Sequence, residues 1–253
     1  GAVISGRHFR NPVSLAKVIM KKTDHSALSG NGALKFATKH GVETCRPEEL
    51  ISEEARKRAT WTNTYKKKKP QESQDTGASG GERHEESPQQ THSDTVSAVA
   101  MDVYGQLACA MSTGGTLGKP EGRVSDAAMV GCGGYANRIG AATVTGLGES
   151  IMKVTLAREV VFNMEKGQDA QKSAEDGLKK MQERVKSGGV ESGGVESGGV
   201  ESGGVESCGG VIAIDKDGNF GKHFTTNMMA LACIKDGEIE FGLEKYKFKK
   251  EPV

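Results

Sequence analysis

The chain has 253 residues, with 34 Lys and Arg against 33 Asp and Glu and a formal net charge of +1, so its charge gives no general attraction for nucleic acid or an anionic membrane. Thirty-five glycines beside 5% aromatic residues favour tight turns and close backbone approach within one substantial core or two small ones. Cys45, Cys109, Cys132, Cys208 and Cys233 are odd in number, widely spaced and form no CxxC pair, which speaks against a disulfide framework or a zinc site and for a reducing, cytoplasmic compartment. No metal and no cofactor is expected. No apolar run reaches membrane-span length, and the opening GAVISGRHFRNP lacks the layout of a signal peptide. The chain begins with Gly1 rather than Met, as a fragment or a processing product would.

Asn11 and Pro12 predict a helix cap and first helical residue, with Leu15, Val18 and Ile19 as the apolar face. A second helix is expected over Ala33 to Lys39, ended by Gly41, and a third, strongly charged one from Glu48 toward Tyr65. From Lys66 to Asp94 the sequence has no apolar periodicity and too little apolar content to bury a core, so a disordered linker is expected. Its four consecutive lysines lack interleaved aromatics and are followed by acids, which favours a solvated segment over a nucleic-acid patch.

After Asp94 the character changes. Thr95 to Val103 and Leu107 to Thr113 flank a turn at Tyr104-Gly105 and predict a buried hairpin. Ile151, Val154, Val161 and Met164 predict one helix over Glu149 to Glu165, and Ala170, Ala174, Leu178, Met181 and Val185 mark a second. The SGGVE unit then occurs four times from Ser187 to Glu206. A period of five fits neither helix nor strand, so it predicts an expanded loop, tolerable because closure costs only about 0.6 kcal/mol per doubling of length. Val211 to Ile214, the DKDGN turn, Phe220 to Thr226 and Glu238 to Leu243 predict strands, giving an α+β chain with mostly antiparallel pairing.

The junction THSDTVSAVAMD, Thr91 to Asp102, carries the chemistry. If the Asp94-Thr95 bond is cut, Thr95 presents a hydroxyl beside a free α-amine. That amine has a pKa of about 7.7 to 8.0, low enough for a neutral fraction to accept the hydroxyl proton near pH 7. Taken alone, Thr95 is an ordinary strand residue after a loop. GRVSD taken alone is a surface turn, and TGLGES is a phosphate-cradle candidate lacking the following Lys and the βαβ context.

Their order reverses that balance. DTVSAVAMD, then STGG at Ser112 to Gly115, GRVSD at Gly122 to Asp126, GCGGYA at Gly131 to Ala136 and TGLGES at Thr145 to Ser150 resemble the isoaspartyl peptidase/L-asparaginase family. These are plant-type asparaginases among the N-terminal-nucleophile hydrolases. The resemblance runs from about Gly1 to the C-terminus, apart from the linker and the repeats, and is dense from Thr95 to Met164. Asp126 resembles the asparaginase branch rather than the threonine aspartase branch, and STGG points away from glycosylasparaginase.

The resemblance implies a four-layer αββα sandwich and a precursor that cuts itself between Asp94 and Thr95. Residues 1–65 would be a helical remnant of the first subunit, 66–94 the linker and 95–253 the second, catalytic subunit, with the repeat loop at 187–207. The two chains would stay associated, in a dimer of heterodimers. Thr95 would be the nucleophile, oriented by Thr113. Arg123 would grip the α-carboxylate and Asp126 the α-ammonium of L-asparagine or an isoaspartyl dipeptide, with Val124 and Ser125 lining the same site. Thr145 and the Gly146 N–H would stabilise the developing oxyanion, and Leu147 and Gly148 would complete the substrate contact, Gly148 allowing close backbone approach.

The chain departs from the family's pattern in lacking an HGGAG-like front segment, an Asn-Ala-Gly stretch and a loop associated with sodium binding in relatives. Gly1-Ala2-Val3 resembles the middle of the first subunit, so the sandwich is expected to be incomplete at its N-terminus, with exposed edges. Ser125 stands where glycine is usual and is expected to crowd the substrate or to strain the backbone. The alternatives are an inactive or partner-dependent fragment and a threonine aspartase-like endopeptidase.

Overall fold

The computed structural model describes residues 1–57, 95–116, 119–187, 208–245 and 247–253. The expected linker, Asp94 at the expected cut and the SGGVE repeats after Ser187 lie outside the described residues.

The front of the chain forms its own small core. Helix α1 (Pro12–Lys22) starts as the Asn-Pro pair predicts, with the Asn11 side chain accepting from the Ser14 N–H at 3.1 Å. It buries Leu15 and Ile19 against Phe9 and against Ala33 and Ala37 of α2 (Gly30–Lys39). Strands β1 (Ala2–Ile4) and β2 (Ala27–Ser29) pair in parallel beside them. The charged third helix is broken: a 3-10 turn over Pro47–Leu50 gives way at Ile51 and Ser52 to a short helix at 53–57. Its expected continuation toward Tyr65 lies outside the described residues.

Strands β3 (Val96–Met101) and β4 (Leu107–Ser112) form the predicted hairpin, paired from Val96↔Ser112 to Met101↔Leu107. Asp102 Oδ1 ties the turn by accepting from the Tyr104 and Gln106 N–H groups at 2.9 and 2.8 Å. The expectation that this hairpin is buried is wrong. Its inward face lies on a second sheet, but Val96, on the other face, is 68% exposed.

That second sheet is antiparallel, in the order β5 (Gly134–Ala136), β6 (Gly140–Gly146), β7 (Gly209–Asp215), β8 (Phe220–Phe224). The hairpin stacks on it through small residues: a side-chain carbon at Gly133 would fall 2.4 Å from Met111 Sδ, and one at Gly134 would fall 3.2 Å from Cys109 Sγ. Thr143 Oγ1 donates across the layers to Ser97 Oγ at 3.0 Å. The opposite face of the sheet is covered by α4 (Leu156–Glu165) and α5 (Ala170–Ser187), whose Leu156, Val160, Ala174, Leu178 and Met181 join Val144 and Val211 in the main core.

The helix expected over Glu149 to Glu165 is two. Helix α3 (Gly148–Val154) ends at Thr155, which is left-handed at φ 47°, ψ 54°, and α4 restarts at Leu156. The break has a use: the Ala157 and Arg158 N–H groups donate to the Cys132 and Gly131 carbonyls at 3.1 and 2.8 Å, so the GCGG loop satisfies α4's first-turn donors. Strands β9 (Met228–Lys235), β10 (Glu238–Glu244) and β11 (Lys247–Pro252) close the described chain as an antiparallel meander. Among the described residues no helix is long and apolar enough to cross a membrane.

Candidate active site

The direction of β3 over β6 decides which ends meet. Ser97 of β3 touches Thr143 of β6, while Met101, at the far end of β3, lies 2.9 Å from where a side-chain carbon would stand on Gly218 in the β7–β8 turn. Gly140, at the start of β6, pairs with Asp215 just before that turn. The strands therefore run in opposite senses in their two layers, and the front of β3 lies at the end of β6.

Side chains alternate along strands, so Thr95 and Ser97 share a face, as do Thr143 and Thr145. Thr95 stands one residue before the Val96↔Ser112 pair and Thr113 one residue after it, so the two threonines sit at the same open end of the hairpin. Thr95, Thr113, Thr145 and Gly146 are all half-buried, which leaves them reachable from solvent.

Gly146 closes β6 opposite Gly209 at φ +142°, and a side-chain carbon there would fall 2.6 Å from the Cys208 carbonyl oxygen. No other residue type fits that backbone. Leu147 caps α3, and Gly148, its buried first residue, approaches the GRVSD turn so closely that a methyl group would fall 1.9 Å from Ser125 Oγ and 2.7 Å from Asp126 Oδ1.

The GRVSD turn supplies the charges. Asp126 opens a 3-10 turn over Asp126–Ala128 and is 6% exposed. Its carbonyl accepts from the Met129 and Gly133 N–H groups at 3.0 and 3.1 Å, which fixes it against the GCGG loop. Burial pushes its carboxyl above the usual carboxylate range, opposed by the hydroxyl of Ser125, which donates to Oδ1 at 2.7 Å, and by the charge of Arg123. The expected strain at Ser125 does not arise: at φ −117° its backbone is extended, which any residue adopts. Val124, by contrast, is 37% exposed on the same turn.

Arg123 has a partner that local spacing does not announce. Its Nε and Nη2 donate to the two carboxylate oxygens of Glu149 at 2.7 and 2.8 Å, a bidentate pair in which the arginine side chain is only 10% exposed. The pairing holds the Glu149 carboxyl below its usual range and raises Arg123 further. The remaining Nη1 points toward the STGG loop, 3.3 Å from where a side-chain carbon would stand on Gly115. Gly115 in turn donates its N–H to Thr113 Oγ1 at 3.0 Å, and Lys119 Nζ donates to the Gly114 carbonyl.

Thr95, Thr113, Thr145, Gly146, Gly148, Arg123 and Asp126 thus belong to one end of the two-sheet stack. Among the described residues no group of three or more His, Cys, Asp or Glu side chains could hold a metal ion. A separate open groove lined by Lys153, Thr155, Glu159, Lys180, Glu183 and Arg184 is a solvated charged surface, with Lys180 paired to Glu159 at 2.7 Å.

Comparison with known proteins agrees with the ordered motifs. A family model described as Asparaginase matches residues 1–196. A Danio rerio protein named isoaspartyl peptidase/L-asparaginase is 39% identical over 255 residues, covering 100% of this chain and 70% of its own. Proteins of the same name from Xenopus laevis and Homo sapiens are 38% and 35% identical, each over 96% of this chain and over 67% and 68% of their own lengths. With a family match across most of its length and such relatives, the chain belongs to the asparaginase family.

Proposed function

We propose that the chain is a threonine-nucleophile amidohydrolase that cuts itself between Asp94 and Thr95 and then hydrolyses L-asparagine and isoaspartyl dipeptides. The observation that carries this reading is the meeting of Thr95, Thr113, Thr145 and Gly146 with Arg123 and Asp126 at one end of the stack. The names of the relatives supply the substrate class.

In self-cleavage, Thr95 Oγ loses its proton and attacks the Asp94 carbonyl carbon. The C–N bond breaks, the nitrogen takes up a proton to become the α-amine, and water hydrolyses the resulting ester. Asp94 is left as a carboxylate and Thr95 with a free hydroxyl and amine. Catalysis reuses both groups: the amine takes the hydroxyl proton as Oγ attacks the substrate's side-chain carbonyl, and returns it to the departing ammonia or peptide amine. Water then releases aspartate from the β-aspartyl-threonine ester.

Thr145 and the Gly146 N–H face the developing oxyanion, where one donor is worth about 3 to 4 kcal/mol. Thr113 orients the nucleophile. Arg123 takes the α-carboxylate on the edge that Glu149 leaves open, and Asp126 takes the α-ammonium, with Val124, Ser125, Leu147 and Gly148 shaping the space between. In this reading the architecture is the αββα sandwich: the two stacked sheets lie inside, α4 and α5 form one outer layer, and α1, which reaches β4, belongs to the other. Residues 1–65 and 95–253 are then the two subunits, joined before the cut by 66–94, associated afterwards, and active in the cytoplasm as a dimer of heterodimers.

A denaturing gel beside Thr95→Ala tests the reading. Wild type is expected to give two fragments, the larger beginning at Thr95, and to release ammonia from L-asparagine; the variant stays whole and inactive. An uncut wild-type chain that releases no ammonia overturns it. The exposure of Val96 on β3 favours a second reading, in which another polypeptide must cover the hairpin before activity emerges. Cutting that starts only on addition of a partner would select it.

A further inference from the structure

The turn that carries Asp126 holds a hydroxyl in an unusual place. Ser125 Oγ stands 2.7 Å from Asp126 Oδ1 and donates to it, and the same oxygen lies 1.9 Å from where a methyl group would stand on Gly148. The hydroxyl therefore occupies the cleft between the Asp126 carboxylate and the first turn of α3. Ser125 is half-buried and Asp126 is buried, so this hydrogen bond lies largely within the turn.

We infer that Ser125 is a positioning residue for substrate recognition: its hydroxyl immobilises Oδ1 of Asp126 and fills the space before Gly148, so an incoming α-ammonium is received on Oδ2 of a carboxylate held in one orientation. The inference rests on the reading of Asp126 as the ammonium acceptor. Two consequences follow. The ammonium approaches from one side only, which selects primary α-ammonium groups over N-substituted ones. The hydroxyl also favours the charged carboxylate against the burial that disfavours it, widening toward acid the pH range in which the site takes a cation.

Among the described residues, the groups that face Asp126 are few. Arg123 favours its ionisation, Glu149 opposes it, and the Cys132 thiol, pushed up chiefly by burial and further by Asp126, stays neutral beside it. Among the described residues, Ser125 is the one that contributes a side-chain hydrogen bond to the carboxylate itself. Removing that hydroxyl therefore acts on Asp126 directly, without unpairing Arg123 from Glu149.

The test uses the full chain and two readouts for wild type, Ser125→Ala and Ser125→Gly. One is the titration of the Asp126 carboxyl carbon by NMR, assigned with Asp126→Asn. The other is calorimetric binding of L-aspartate and of N-methyl-L-aspartate across pH. Both Ser125 variants are expected to titrate Asp126 at higher pH. They should bind L-aspartate about five- to tenfold more weakly at mildly acidic pH, the scale of one ordinary hydrogen bond. Ser125→Gly is also expected to narrow the preference for L-aspartate over the N-methyl compound. Unchanged titration and unchanged affinity, with wild type binding L-aspartate, overturn the role of Ser125. A wild type that binds no L-aspartate at any pH overturns the ammonium reading of Asp126 instead, even if its titration still follows Ser125.

Discussion

Arg123 and Glu149, 26 residues apart in sequence, face each other through two parallel N–H to oxygen bonds of 2.7 and 2.8 Å. The pair ties the GRVSD turn to the first turn of α3 and spends the Nε–Nη2 edge of the guanidinium. Glu149→Gln keeps the shape and loses the charge, so Arg123 loses its orientation. The expected result is a rise in KM for L-asparagine of about tenfold with a much smaller change in kcat, since carboxylate binding, the role proposed for Arg123, is common to ground and transition states. Steady-state kinetics check it.

The same residues set opposed pH dependences of stability. Glu149 titrates below its usual 4.5 because of Arg123, so its contribution is present above that value and is lost as pH falls through the lowered folded value. Asp126 titrates above its usual 3.8 because of burial, so it favours the fold below that value and works against it as pH rises through the raised one. Asp126→Asn is accordingly expected to raise Tm at neutral pH while abolishing turnover of L-asparagine. Thermal melts from pH 3 to 8 with each variant check both signs.

Gly146 cannot be replaced without moving the strand beside it. At φ +142° and 2.6 Å from the Cys208 carbonyl, Gly146→Ala is expected to cost about 2 kcal/mol or more in stability and, in the proposed oxyanion role of its N–H, to remove most of kcat. Denaturant unfolding and single-turnover kinetics separate the two effects, the second of which rests on the oxyanion role proposed for Gly146.

Thr155, between α3 and α4, is a β-branched residue in the left-handed region with φ 47°. Thr155→Gly relieves that strain and is expected to stabilise the chain by about 1 kcal/mol, with kcat/KM unchanged because the residue lies in the charged groove away from the candidate site. A loss of stability would show that its Oγ1 bond to the Val154 carbonyl at 2.8 Å outweighs the strain.

What the sequence disclosed followed from local rules. Asn11-Pro12 marked a cap, Tyr104-Gly105 a hairpin turn, and Ala170 to Val185 a helix face, because each depends on neighbours within one turn. Strand β6, GAATVTG, escaped notice because its residues Gly140 to Val144 are buried, covered on both faces, so no alternation exists to read. Strand β9, MMALACIK, has helix-favouring composition that sheet pairing overrides, and β11, KFKKEP, is a lysine-rich edge strand. The split at Thr155 depends on carbonyls of Cys132 and Gly131, 25 and 27 residues before the Ala157 and Arg158 N–H groups they accept from. At the candidate site, the ordered motifs mark residues that the fold brings to one end of the stack. Glu149 stands inside TGLGES, but its partner Arg123 comes from another turn, so local spacing does not mark it.

The hydroxyl contact between Ser97 and Thr143 joins two sheets that are far apart in sequence, and each sheet holds half of the proposed machinery: Thr95 on one, Thr145 and Gly146 on the other. In that proposal, the threonine has no oxyanion donors to work with until those sheets have stacked. The cut before Thr95 would then serve as the molecule's own certificate of folding, granted only to chains whose layers have closed in the right register and withheld from every misfolded copy.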